Sequence, residues 1–475
     1  MQMSKPINPV DKNKIHQIFE AQLINQYKVS ESSAKQRINK LNKLSSTLMK
    51  YNKEIKEALY LDYKRPAAEV DLIEIFPVTS GIKFATKRLK RWMAPHKVST
   101  PLSLFGSASF IRYEPKGVCL IISPWNYPVQ LALGPLTLAI AAGNTAIIKP
   151  SEITPYSSAI LRKIIEEVFD ENEVAVIEGA VETATELLKL PFNHIFFTGS
   201  SEVGKIVMAA AAKNLASFTL ELGGKSPAII DKTANIKTAA TRILMAKFSN
   251  NGQMCIAPDY VFIHESKLAE FVENVKSGII GFYGANAAQS ESYMRIVNAK
   301  NYNRVKSYIE DSVKIGAEIV HGGRCDENDN FIEPTVIINL PPESPLMQYE
   351  VFGPVLPVIT FSNLNEIFDI IRTKGKPLAL YIFSKNKNNI GKILRSTSAG
   401  GTCINNCAVH YFNHNLPFGG SNNSGIGKSN GKFGFIEFSN ARAVYKQILP
   451  SSLDFLKPPY NESKMKLIKL IVKWF

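Results

Sequence analysis

The 475-residue chain holds only five cysteines, three tryptophans and seven histidines. Cys119, Cys255, Cys325, Cys403 and Cys407 form an odd set without framework spacing. That excludes a disulfide scaffold and implies reduced thiols in a cytosolic setting, so the Asn-x-Ser matches at Asn422 and Asn461 carry no meaning. Long apolar runs are also missing. The longest, 131–142, is broken by Gly134 and Pro135 and is too short to span a bilayer. The opening Met1-Gln2-Met3-Ser4-Lys5-Pro6 has no apolar h-region, so no secretory signal is read and a cytoplasmic location is expected. No internal repeat or low-complexity block is present. Acidic residues fall short of basic ones, 41 against 56, giving a net charge of +15. Such an excess suits nucleic acid, an acidic membrane surface or a phosphorylated cofactor. Here it is spread as single lysines over polar helix faces with no recognition motif, which speaks against a nucleic-acid partner.

What is present is an alternation, in a chain long enough for two or three domains. Between residues 14 and about 63 apolar positions recur at helical spacing, as in Ile38, Leu41, Leu44 and Leu48, predicting two or three amphipathic helices remote from function. From Gly117 onward, short apolar runs at 118–122, 146–148, 174–177, 194–197 and 218–220 read as strands. Helices at 131–142, 156–169, 184–188 and 204–212 lie between them. Crossovers of this kind predict a parallel sheet covered on both faces. A second α/β region follows, helical at 236–248 and 268–279 and extended at 260–263, 355–361 and 378–383. Prolines and short alternating runs in 95–114 suit a protruding hairpin and an oligomer contact. At the far end, Leu467, Ile468, Ile471, Val472 and Phe475 oppose Lys466, Lys469 and Lys473, giving a short basic amphipathic helix. Packing on the chain's own body or a partner subunit, or contact with an anionic membrane surface, would each suit it.

Two segments carry the chemistry. Leu220-Glu221-Leu222-Gly223-Gly224-Lys225-Ser226-Pro227 and Gly252-Gln253-Met254-Cys255 supply a carboxylate and a thiol, each beside glycine. Alone, the first reads as a solvated charge and the second as an inert core cysteine. Together they suggest covalent catalysis through sulfur, with a carboxylate to activate the water that releases a thioester. His194-Ile195-Phe196-Phe197-Thr198-Gly199-Ser200-Ser201-Glu202-Val203-Gly204-Lys205 reads as strand, tight turn and helix start. Its backbone donors and the Ser200 hydroxyl suit a phosphate, although the usual dinucleotide glycine triplet is absent. In Ser123-Pro124-Trp125-Asn126-Tyr127-Pro128 two prolines fix the backbone around one amide, either an oxyanion donor or a rigid turn bonded to itself. Lys149-Pro150-Ser151-Glu152 ends a strand where nucleotides bind parallel sheets. Met347-Gln348-Tyr349-Glu350-Val351-Phe352-Gly353-Pro354 sets a carboxylate and a ring before another strand. Three patterns are set aside. Cys403, Cys407, His410 and His414 are too closely spaced for a zinc finger, so no metal is expected. Gly224-Lys225-Ser226 and Gly427-Lys428-Ser429 end like phosphate loops but have Thr219 and Asn422 where the earlier glycine belongs.

In this order and spacing the motifs resemble the aldehyde dehydrogenase superfamily from about Ala58 to Gln447. Tyr113-Glu114-Pro115, the Pro124–Pro128 turn and His414-Asn415-Leu416-Pro417-Phe418-Gly419-Gly420 are most similar to its class 3 branch, which includes fatty aldehyde dehydrogenases. The resemblance implies an α/β fold with a Rossmann-type cofactor domain (1–94 and 115–221) and an α/β catalytic domain (222–407). It also implies a β-hairpin oligomerisation and active-site return element (95–114 and 408–447), followed by a tail (448–475). By matching position, Cys255 would be the nucleophile, Glu221 the base and Asn126 the oxyanion donor, beside the backbone N–H of Cys255. NAD or NADP would contact Trp125, Lys149, Glu152, Thr198, Gly199, Ser200, Gly204, Leu222, Glu350 and Phe352. Lys149 and Glu152 would lie at the adenosine ribose, Ser200 at the pyrophosphate, and Glu350 and Phe352 at the nicotinamide end. Tyr349 stands where an acidic residue is frequent, and Ser421-Asn422-Asn423 replaces a small apolar run. The activity implied is NAD(P)-dependent oxidation of aliphatic or aromatic aldehydes to carboxylic acids by a homodimer. An acylating enzyme that passes its thioester to coenzyme A is disfavoured by Glu221. A catalytically silent membrane scaffold is disfavoured by the intact set Asn126, Glu221 and Cys255.

Overall fold

The computed structural model describes residues 11–474; the opening segment Met1–Pro6 and the tail's last apolar position, Phe475, lie outside it. Three helices, Lys12–Ser30, Ala34–Lys50 and Asn52–Tyr63, occupy the region read as two or three. Two of them start on side-chain caps, Asp11 accepting from Asn13 and Ser33 closing a capping box with Gln36.

A six-stranded sheet forms the first α/β body. Its spatial order is Gly425–Ile426, Ser217–Glu221, His194–Thr198, Val118–Ile122, Thr145–Lys149 and Val174–Val176, all parallel except the first pair. Strands 145–149 and 194–198 are buried at every position. Their unbroken apolar runs therefore reflect cover on both faces. The helix Gln130–Ala142 is apolar around most of its circumference because it is wedged between this sheet and the helix Phe76–Met93.

Seven strands build the second sheet, in the order Glu318–His321, Thr335–Ile338, Val355–Phe361, Tyr260–His264, Pro227–Ile230, Ala379–Phe383 and Gly401–Ile404. Only the edge strand 318–321 runs antiparallel. The expected hairpin is present as His96–Val98 against Ser107–Pro115, and Ser439–Gln447 returns to pair with the longer strand over nine residues. A separate three-stranded sheet results. The tail helix Glu462–Trp474 forms as its spacing predicts, and Leu470 and Val472 stand 57% and 78% exposed. Among the described residues no helix is long and apolar enough to cross a membrane.

Candidate active site

Glu221 ends its strand at the carboxyl edge of the first sheet, where parallel sheets place their ligands. Cys255 follows a tight turn whose shape is dictated by contact. Asn250 and Asn251 both take left-handed backbone conformations, at φ 51°. A Cβ on Gly252 would lie 2.2 Å from the Gly353 carbonyl oxygen, so only glycine fits there. Gln253 locks the turn, its amide donating to the carbonyls of Asn250 (3.1 Å) and Arg295 (3.2 Å) and accepting from Val297 N–H (3.0 Å). Cys255 and Glu221 line one cavity of about 760 Å³, open mouth included, with walls from Val78, Leu131, Leu138, Tyr411 and Phe418.

Electrostatics in this cavity favour neutral groups. Burial, with Glu350 and Glu221 nearby, pushes the Cys255 thiol up to about 12, while the N–H groups of Cys255 and Ile256 pull the other way. Burial also raises the Glu221 carboxyl to about 8, opposed by a hydrogen bond from Ser429 and by the Lys428 charge, and assisted by Glu437. Ser429 donates to Glu221 Oε1 at 2.8 Å, and Oε2 is buried with no protein partner. That open oxygen is where a water can be held.

Asn126 does not bond to its own turn. Its Nδ2 donates to the Gln253 carbonyl at 3.0 Å, which ties the amide to the nucleophile loop and leaves a second N–H. A buried ion pair fixes the turn from below. Arg65 donates to Glu74 Oε1 at 2.6 Å with both side chains fully buried, and Glu74 Oε2 accepts the Gln130 N–H at 2.7 Å. The Arg65 guanidinium also lies 4.6 Å from the Tyr127 ring centroid, and Tyr63 donates to the Asn126 carbonyl at 3.2 Å. Tyr63 corrects the expectation that the N-terminal helices are remote from function. Glu74 sits in a π-helical stretch, Val70–Ile75, of a kind often found at functional sites. Breaking one side of such a pair strands a buried charge. Arg65→Met is expected to cost about 3–5 kcal/mol of stability, measured by urea unfolding.

A second cavity is lined by Ser201, Gly223, Gly224, Lys225 and Glu350. Gly223 passes so close to Glu350 that a Cβ would lie 2.3 Å from Oε2, and the Glu350 carboxylate accepts the Gly224 N–H. Lys225 explains why. Its ammonium pairs with Asp259 and donates to the carbonyls of Leu346 (2.8 Å) and Tyr349 (2.7 Å), pinning the segment that carries Glu350. The first phosphate-loop decoy is thus a structural lysine. Trp125 and Phe352 meet edge to face at 5.4 Å. Gly204 and Leu222 pack together, a Cβ on the glycine reaching Leu222 Cδ2 at 2.9 Å, which brings the helix Ser201–Lys213 close to the sheet.

Ser200 caps that helix, its hydroxyl accepting the Val203 N–H at 3.4 Å, so the anion-holding groups left there are backbone amides. Gly199 lies over the Phe197 ring, and Thr198 lines the cavity with an unpartnered hydroxyl. Lys149 donates to Glu152 Oε2 at 2.8 Å. The Glu350 carboxylate, the free amides at the start of helix 201–213 and two rings beside a bare glycine backbone are a donor and acceptor set that fits a nicotinamide dinucleotide.

The unusual Ser421–Asn423 stretch bridges the two bodies. Asn423 Oδ1 accepts the Lys376 N–H at 2.8 Å, its carbonyl accepts the Ser201 hydroxyl at 3.0 Å, and Asn422 Oδ1 accepts from Lys376 Nζ at 2.6 Å. Tyr349 is turned outward and stacks on Tyr308. The cysteine–histidine cluster splits: Cys403 Sγ lies 3.2 Å from His410 Nδ1, whereas His414 bonds Ser80 and Asn430. The sequence carries no signal for Arg65, Glu74 or Tyr411, and Ser429 stands in it only as the end of a discarded phosphate-loop pattern.

Residues 5–444 match the aldehyde dehydrogenase family. The 4,4'-diaponeurosporen-aldehyde dehydrogenase of Staphylococcus aureus is 44% identical over 438 residues, 92% of this chain and 94% of the relative. The dimeric NADP-preferring aldehyde dehydrogenase of Rattus norvegicus is 39% identical, covering 90% and 94%. A substrate-bound structure of Staphylococcus aureus AldH superposes with a TM-score of 0.92 at 42% identity, covering 96% of this chain and 99% of that one. The chain therefore belongs to the aldehyde dehydrogenase family and is an NAD(P)-dependent oxidoreductase that converts aldehydes to carboxylic acids.

Proposed function

We propose that Cys255 is the nucleophile, Glu221 the general base and Asn126 the oxyanion donor of this oxidation. The observation that carries the reading is the single cavity that Cys255 and Glu221 both line, with Glu221 Oε2 left without a protein partner. Cys255 gives up its thiol proton to solvent as Sγ adds to the aldehyde carbon, and the free N–H of Asn126 with the Cys255 N–H receives the oxygen's developing charge. Bound dinucleotide supplies the acceptor for the carbon-bound hydrogen and its electron pair. Glu221 then takes a proton from water as that water attacks the thioester, and the carboxylic acid leaves Cys255 as a free thiol.

Glu350 would hold the ribose at the nicotinamide end and Phe352 and Trp125 its ring. The amides following Gly199 and Ser200 would hold the pyrophosphate, beside Thr198 and the close-packed Gly204 and Leu222. Lys149 and Glu152 would meet the adenosine ribose. Their mutual ion pair leaves Glu152 partly neutralised, so NAD and NADP are both accepted.

Substrates of this reading are medium or long aliphatic aldehydes and aromatic ones. Apolar walls from Val78, Leu131, Leu138 and Phe418 support that class, as does a relative named for 4,4'-diaponeurosporen-aldehyde. The test follows the ultraviolet absorbance of reduced cofactor with NAD or NADP and hexanal, decanal or benzaldehyde. Decanal and benzaldehyde should give the higher kcat/KM; preference for a short polar aldehyde such as glycolaldehyde would sink the substrate class.

We further infer a cytoplasmic homodimer built through the three-stranded sheet at 96–115 and 439–447. Exposed Leu102, Phe105, Ile448 and Leu449 beside that sheet support it. The tail helix, with its exposed apolar side chains and Lys466, Lys469 and Lys473, suits peripheral contact with an anionic membrane. Light scattering of the full chain, and cosedimentation with phosphatidylglycerol vesicles beside a chain ending at Asn461, would separate these roles. A monomer by scattering rules out the first, and equal sedimentation of both chains the second.

A further inference from the structure

The second phosphate-loop decoy, Gly427-Lys428-Ser429, lies directly behind Glu221. Ser429 is clamped by paired backbone hydrogen bonds with Phe418, and its hydroxyl reaches Glu221 Oε1 at 2.8 Å. Lys428 runs alongside. A Cβ on Gly419 would fall 3.1 Å from Glu221 Oε1 and 3.2 Å from Lys428 Cδ, so the lysine stem flanks the carboxylate across one glycine. Its ammonium donates to the carbonyls of Gly419 (2.5 Å) and Gly420 (2.7 Å). Glu437 closes the group. Oε1 accepts the Lys428 N–H at 3.0 Å, and Oε2 accepts the hydroxyl of Thr219, two residues before Glu221 on the same face of its strand, at 3.2 Å.

We propose that Ser429, Lys428 and Glu437 are positioning residues for the catalytic base. Ser429 fixes one carboxylate oxygen and leaves Oε2 without a protein partner, while Lys428 and Glu437 place opposed charges beside it. This rests on the reading of Glu221 as the base. The set has a direct electrostatic consequence. A hydrogen-bond donor and a cation favour the ionised carboxylate and an anion disfavours it. Ser429 and Lys428 therefore keep the base ionised at lower pH, and Glu437 acts in the opposite sense. Other titratable groups around Glu221 are Cys255 and Tyr411, and His414, bonded to Ser80 and Asn430, lines the same cavity. Beyond Glu437 lie His194, whose Nε2 is 3.3 Å from the Thr219 hydroxyl, and Lys116, 3.3 Å from His194 Nδ1.

The test measures formation and decay of the acyl group on Cys255 by acid quench and intact mass, using full-length enzyme, NAD and decanal from about pH 6 to about pH 10. Ser429→Ala and Lys428→Met should each raise the midpoint of decay by roughly half to one pH unit, slowing decay about threefold to tenfold below it. Glu437→Gln should lower the midpoint, and Ser429→Thr should restore the wild-type profile. Acyl formation and aldehyde KM should stay within about twofold. Midpoints unmoved in folded variants, or formation and decay falling together, would overturn the proposal. Glu437→Gln is nearly isosteric, so its downward shift can be read even where Ser429→Ala folds poorly. Wild-type decay in Glu221→Gln would remove the base assignment and this inference with it. A trapped acyl-enzyme in Glu221→Gln with unmoved midpoints in the other variants would remove this inference alone.

Discussion

Replacing Cys255 by alanine is expected to abolish aldehyde oxidation while leaving cofactor binding within about twofold of wild type. No other residue described in the cavity wall can take over. Cys403 and Cys407 are buried near Tyr381, whose hydroxyl bonds the Ile256 carbonyl behind the nucleophile loop, and neither lines the cavity. Loss of a covalent nucleophile costs on the order of a millionfold in turnover, or about 8 kcal/mol of transition-state stabilisation. Because the loop is fixed by Gln253 and Gly252, the Cys255 side chain itself contributes little to holding the turn. Quenching of tryptophan fluorescence by NADH should thus titrate normally in Cys255→Ala. The thiol also has a distinctive idle state. With burial and two carboxylates raising it to about 12, iodoacetamide labelling of cofactor-free enzyme should be slow at neutral pH and climb about tenfold per pH unit, Cys255 being followed by peptide mass mapping. A fast neutral-pH reaction at Cys255 would contradict the electrostatic account, and residual turnover in the alanine variant would contradict the chemical one.

How much of this is legible in the sequence depends on whether one short segment carries both partners of a contact. Strand 118–122 and helix 236–248 read at their observed bounds because each is one uninterrupted periodic run. The pairing of Glu221 with Cys255 is legible from neighbouring glycines, and Gly223 and Gly252 do abut Glu350 and Gly353. The strand Pro227–Ile230 is hidden, being four buried residues directly after a motif that reads as a glycine-rich loop. Ala299–Lys314 is hidden too, its apolar face of Tyr302, Val305 and Ile309 being thin among polar residues. At the site, the illegible part is all long-range. Arg65, in the connection after helix 52–63, and Glu74, nine residues on, have no local reason to pair until the fold encloses both, and Ser429 reads only as the end of a discarded phosphate-loop pattern until it meets a residue far earlier in the chain. Spacing cannot report such contacts, because burial and charge partners are properties of the assembled core.

Glu221→Gln is expected to trap the enzyme as a thioester on Cys255. The substitution keeps the side chain's shape and its acceptor oxygen for Ser429, and removes only the ability to take a proton. The first half-reaction should therefore proceed, giving about one reduced cofactor per active site, and steady turnover should fall by about 10²–10⁴, or roughly 3–5 kcal/mol. Intact-mass analysis should show the acyl adduct persisting after aldehyde is exhausted. Wild-type pH dependence follows from the same group. Its carboxyl is raised to about 8, so it is protonated at lower pH and unable to accept a proton from water. Where thioester hydrolysis limits turnover, the wild-type rate should fall about tenfold per unit as pH drops below 8 and level off above it. The glutamine variant should lose that midpoint, its residual hydrolysis climbing with hydroxide concentration instead. Turnover in Glu221→Gln that still bends near pH 8 would show that another group carries the proton, with Lys428 the nearest charged neighbour to examine.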